Sequence, residues 1–100
     1  MASSTLHTAI DQWVDEHAED LLQLTEALIR FPSENHAPRG NEKEIQAFVA
    51  ETMRGLGLEL DIFEPTDVPE LEKHPAYWPG RDYHDRPNVV GTRRGSDGRG

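Results

Sequence analysis

Gly55-Leu56-Gly57-Leu58-Glu59-Leu60-Asp61-Ile62-Phe63 is where the hydrophobic rhythm of this chain changes. Just upstream, Ile45, Phe48, Val49, Met53 and Leu56 recur at helical spacing and form the stripe of an amphipathic helix. Downstream, Leu58, Leu60 and Ile62 alternate with Glu59 and Asp61, the twofold period of a half-buried strand with one wet face. The glycines between them mark the helix end, and Gly57 is the better candidate for the left-handed position after the last turn. A helix leading through glycine into an alternating strand is a common α/β packing unit. The expectation is an α/β fold, with a helix over residues 42–55 and a strand over 58–63.

Working back towards the start, Asn41 is the expected N-cap of that helix, and Glu44 completes a capping-box pattern. Residues 33–40 (SENHAPRG) read as loop, rich in turn formers. Before them, Leu6, Ile10, Trp13/Val14, His17, Leu21, Leu24 and Leu28 give one apolar face to a long helix over 5–30. Ser4 or Thr5 would cap it, its acids gather towards the N-terminal half, and Arg30 closes the other end, an order that suits the helix dipole. Pro32 stops it, because it disfavours helical backbone at Phe31 and supplies no donor.

Working forward, residues 64–87 hold five of the seven prolines, several acids and the aromatics Tyr77, Trp78 and Tyr83. A connection this long is unusual in a compact domain and is often functional; a short helical turn is expected near Val68–His74. A second strand follows over 88–93, then the turn material Gly95-Ser96-Asp97-Gly98-Arg99-Gly100. Asp-Gly after an apolar strand signals a hairpin turn. Such a turn calls for a returning strand, so the sequence reads as interrupted rather than finished.

The net charge of −9 is unevenly spread. Residues 1–85 carry eighteen acids against six Lys/Arg, and residues 86–100 carry one acid against four Arg. So acidic a surface opposes non-specific binding to nucleic acid or to an anionic membrane. The terminal arginines read as solvated edge protection rather than phosphate contacts. The chain has no cysteine, which excludes a disulfide framework and thiolate metal sites and fits a cytoplasmic protein. Its start, MASSTLHTAIDQW, has neither the basic nor the apolar region of a secretory signal. No apolar run approaches the ~20 residues of a membrane helix.

Chemistry-bearing clusters are sparse. There is no His-Glu-x-x-His, no Gly-x-Ser-x-Gly and no phosphate-cradling glycine loop. His17 shares a helix face with Asp20, which reads as a packed, partly satisfied histidine in preference to a ligand. Asp82-Tyr83-His84-Asp85 places two carboxylates beside an imidazole and admits metal or proton-transfer work; a solvated loop whose acids cap turns is the plainer reading. Glu34-Asn35-His36 is read the same way. Tyr77-Trp78 either lines a ligand groove or partner interface, or anchors a long loop on the domain surface.

The order of these elements nevertheless resembles the start of an M20-type metallohydrolase. The similarity lies in Leu28-Ile29-Arg30-Phe31-Pro32-Ser33, in Gly40-Asn41-Glu42 opening the second helix, in Gly55-Leu56-Gly57-Leu58-Glu59, and in Arg86-Pro87-Asn88-Val89-Val90-Gly91. The connection ELEKHPAYWPGRDY, Glu70–Tyr83, is similar to the loop of deacylases related to acetylornithine deacetylase and succinyl-diaminopimelate desuccinylase. The resemblance runs from about Ile10 to Gly100. It implies a zinc- or cobalt-dependent hydrolase of the amide bond in N-acyl amino acids or small peptides. Two carboxylate-bridged metals would activate a water and a glutamate would act as general base. It further implies a mixed zinc-peptidase-like sheet, of which this chain supplies two helices and the first two strands, and a homodimer through a further domain. The family's first metal ligand lies in a His-x-Asp motif on the next strand. None of His7, His17, His36, His74 and His84 has an Asp two residues on, so no catalytic, cofactor or metal residue is carried over to this sequence.

Two readings follow. In the first, residues 1–100 are the N-terminal part of one deacylase catalytic domain, inactive and metal-free alone. In the second they are a complete small acidic α+β interaction module, contacting its partner through the Tyr77-Trp78 loop.

Overall fold

The computed structural model describes residues 2–36 and 38–97. Two compact units emerge, one up to Phe31 and the other from Pro32 onward.

The first unit contains α1 (Ala2–Glu16) and α2 (Ala18–Ile29). The single helix expected over 5–30 is thus broken in two at His17, whose backbone leaves the helical region at φ −110°, ψ 13°. His17 stacks on Trp13, with ring centroids 3.9 Å apart, and its Nδ1 lies 2.7 Å from the Trp13 carbonyl oxygen. The imidazole therefore occupies the backbone acceptor at the break, as a packed, satisfied histidine does. Ser4 and Thr5 do not cap the helix: it already runs at Ala2, and the Thr8 hydroxyl donates back to the Ser4 carbonyl within it. Arg30 holds the C-cap, its N–H donating to the Glu26 carbonyl at 3.2 Å. Leu6, Ile10, Trp13, Val14 and Leu21 of the apolar stripe are exposed, while His17, Leu24 and Leu28 are half-buried.

The second unit begins with β1 (Asn35–His36) paired antiparallel to β2 (Arg39–Gly40), where a loop was expected; Ala37 between them lies outside the described residues. Then come α3 (Lys43–Gly55), β3 (Glu59–Phe63) and β4 (Asn88–Thr92). β3 and β4 are antiparallel, with Leu60 opposite Gly91 and Ile62 opposite Val89. The fold is mixed α/β, and its sheets are small antiparallel pairs.

The change of rhythm at Gly55–Leu58 has a definite geometry. Gly57 takes φ +80°, its N–H donates to the Arg54 carbonyl, and the Leu58 N–H donates to the Met53 carbonyl. These two bonds form a Schellman motif, which satisfies the last helical carbonyls and turns the chain into β3. α3 then packs on both strands. Opposed residues share a face, so Leu60, Ile62, Val89 and Gly91 lie on the face that meets α3. A Cβ at Gly91 would crowd the Met53 sulfur and a Leu58 methyl, so glycine lets helix and strand approach.

Only Ala50 is buried among the described residues. Ile45, Phe48, Val49, Met53, Leu58, Leu60 and Val89 are half-buried, while Ile62 and Val90 are about half exposed. The short helical turn expected near Val68–His74 is a 3-10 turn at Leu71–Lys73; a second, at Pro65–Asp67, precedes it, with Val68 extended between them. A turn is present at Ser96–Asp97; the expected hairpin's Gly98, with Arg99 and Gly100, lies outside the described residues.

Candidate functional site

Segment 81–86 is tied to segment 35–43 at several points, and Arg86 is the strongest. Its Nε donates to Glu42 Oε2 at 3.1 Å and its Nη2 to Glu42 Oε1 at 2.8 Å, a bidentate pair. The Arg86 and Glu42 side chains are only 17% and 27% exposed, the most sheltered ion pair among the described residues. Arg86 Nη1 also donates to the Asp82 carbonyl, and its backbone N–H donates to Glu64 Oε2 at 2.9 Å. Glu64 opens the long connection and Arg86 closes it, so this last bond shuts the loop at its base. Gln46 adds a bond from Nε2 to the Pro87 carbonyl at 3.1 Å.

This arrangement explains why the expected capping box is not made. The Asn41–Glu44 pattern would place the helix start at Asn41, yet the cap position is occupied by Glu42, with no side-chain cap bond. Glu42's carboxylate is committed to Arg86 instead. Gly40 makes that possible, because a Cβ there would overlap both carboxylate oxygens of Glu42.

Weaker ties flank the pair. The Asp82 N–H donates to the Pro38 carbonyl at 2.8 Å, and Arg81 Nη1 donates to Asn35 Oδ1 at 3.2 Å. Arg39 lies 3.5 Å from Asp82, and Lys43 lies 3.6 Å from Asp85. These ion pairs border an open groove of about 500 Å3, where Arg39, Asn41 and Lys43 face Asp82, His84 and Asp85.

Of Asp82-Tyr83-His84-Asp85, the groove gathers Asp82, His84 and Asp85, with Asp82 capping a turn and both acids paired to a cation. Asp82 Oδ1 accepts the His84 N–H at 2.9 Å, the local loop above, and Asp85 takes a left-handed backbone with φ 54°. In the other two clusters, His36 pairs with Glu34 at 3.0 Å on an open surface and His17 stacks on Trp13. Among the described residues, no group of three or more His, Cys, Asp or Glu side chains is placed to hold a metal ion.

The aromatic loop is ordered around Tyr83. Its hydroxyl donates to the Trp78 carbonyl at 3.1 Å and accepts the Trp78 N–H at 3.2 Å, while its ring tilts against Tyr77 at 5.4 Å. Trp78 is 62% exposed, so it does not anchor the loop by burial. Sequence reasoning quoted Glu42 and Arg86 only as members of separate motifs, without their pairing, and passed over Glu64. The only local signals were the acid two residues after Gly40 and the arginine before Pro87.

No family model matches this chain, and neither the curated proteins nor the solved structures give a match. No described helix is long and apolar enough to cross a membrane.

Proposed function

We propose that this chain is the leading part of the catalytic domain of a metal-dependent amidohydrolase of M20 type. The enzyme would cleave the amide bond of N-acyl amino acids or small peptides and would act in the cytoplasm. One observation carries most of the support. Gly40-Asn41-Glu42 and Arg86-Pro87-Asn88, two of the motifs that carry the resemblance, meet in one hydrogen-bonded unit through the Glu42–Arg86 pair. A two-stranded β3–β4 sheet with exposed Ile62 and Val90 also suits a scaffold that further strands complete.

Zinc or cobalt would be held by residues outside these 100, because the His-x-Asp motif of the resemblance does not occur here. In the longer enzyme the metals would lower the pKa of a bound water and clamp the developing oxyanion. The role of this chain is to build and brace one side of the sheet. A homodimer would form through a further domain.

The test is hydrolysis of N-acyl amino acids by the protein expressed together with the coding sequence that follows Gly100, with and without zinc or cobalt. Metal-dependent release of the free amino acid is expected, with no release by residues 1–100 alone. Turnover by the 100-residue chain, or none by the longer protein with either metal, would overturn the reading.

A further inference from the structure

An exposed Trp78 and a half-buried Arg81 form a pair for which the fold itself gives no packing reason. The Pro79-Gly80 turn, with Gly80 at φ +86°, brings residues 78 and 81 together, as glycine at the second central position of such a turn allows. The Arg81 guanidinium carbon sits 4.2 Å from the centroid of the Trp78 ring. On the other side, Arg81 Nη1 is held by Asn35. Trp78 is fixed through both its backbone N–H and its carbonyl by one Tyr83 hydroxyl. The two side chains are thus positioned from several directions while the indole stays largely in solvent.

The charge of Arg81 makes the pair more telling. In a chain with nineteen acids, Arg39, Lys43, Arg54, Lys73, Arg86 and Arg94 each lie against a carboxylate, whereas among the described residues Arg30, Arg81 and Arg93 do not. Among the described residues, Arg81 has only the neutral Asn35 amide and the indole face. A half-buried guanidinium with remaining N–H donors, beside an open aromatic surface, matches a carboxylate joined to an apolar group.

We propose that Trp78 and Arg81 bind the carboxylate and apolar side chain of an acylated amino acid or of a peptide C-terminus. Arg81 takes the carboxylate, and the apolar side chain lies on the indole. This rests on the deacylase reading in assigning that ligand as substrate. A strand returning antiparallel to β4 would end beside Asn88, at the edge where the Glu64–Arg86 loop leaves the sheet. The pair would then stand at the same end of the sheet as the metal ligands expected there.

Binding is measured separately from hydrolysis. In the 100-residue chain carrying Trp13→Phe, Trp78 is the sole tryptophan, and its fluorescence is titrated with N-acetyl-leucine and with N-acetyl-leucinamide. The acid is expected to give a saturable change and the amide one at least about tenfold weaker, the size of a lost charge-assisted hydrogen bond. Arg81→Met should remove that preference, and Arg81→Lys should restore part of it. Equal response to acid and amide, no response to either, or an unchanged preference in Arg81→Met would overturn the proposal. The hydrolysis assay stands apart: binding without hydrolysis by the longer protein sinks the deacylase reading and leaves the carboxylate site standing.

Discussion

Arg86 and Glu42, forty-four residues apart in sequence, meet through two N–H···O bonds of 3.1 and 2.8 Å. The pair joins the start of α3 to the end of the long connection, and the Arg86 backbone holds Glu64 at that connection's beginning. Because both side chains are largely sheltered, cutting one leaves the other charge poorly solvated. Arg86→Met or Glu42→Gln is expected to lower unfolding free energy by about 1–3 kcal/mol. Urea denaturation measures it. The double variant should cost less than the sum of the two single ones, and strict additivity would contradict the coupling.

Gly40→Ala should act through the same pair. Its Cβ would push the Glu42 carboxylate off Arg86, so the loss is expected at about 1–2 kcal/mol, in the range of a disrupted charge-assisted bond. In a Glu42→Gln, Arg86→Met background the same change should cost clearly less, since no ion pair is then left to displace. An equal cost in both backgrounds would place the penalty elsewhere.

Gly57→Ala tests the helix-to-strand switch. With φ at +80°, a Cβ faces the ordinary left-handed penalty of about 1–2 kcal/mol, although nothing lies within contact of it. Gly57→Asn should be milder, because Asn tolerates that region. Denaturation of the two variants against the parent gives the order; an Ala variant as stable as the parent would rule out the left-handed cap.

The ion pairs bordering the groove should matter little. Lys43 and Asp85 are 69% and 74% exposed, so Lys43→Gln is expected to change stability by under about 0.5 kcal/mol, less still in 1 M salt. Asp85→Asn should be equally mild. Asp85→Val should cost more, because its φ of 54° suits Asp and Asn and not a β-branched residue.

What could be read from sequence follows the range of each signal. The switch at Gly57 and the strand after it were legible because a Schellman turn and a twofold period are local patterns. The break at His17 was not, since the apolar stripe runs through it and no glycine or proline marks it. The Asn41 cap was misassigned for a long-range reason: Glu42 is drawn to a residue forty-four positions away. The β1–β2 pairing is two residues long on each side, too short to establish an alternating pattern. That the acids of Asp82-Tyr83-His84-Asp85 cap turns was one of two readings their place in a loop allowed, and Asp82 does so. Their ion pairs with Arg39 and Lys43 depend on tertiary approach.

The most direct measurement for the central claim is the coding sequence beyond Gly100. The deacylase reading predicts an apolar strand ending in His-x-Asp within about fifteen residues, the reach of a hairpin turn and one strand. A stop codon at that point, or a continuation without that strand and motif, would contradict it.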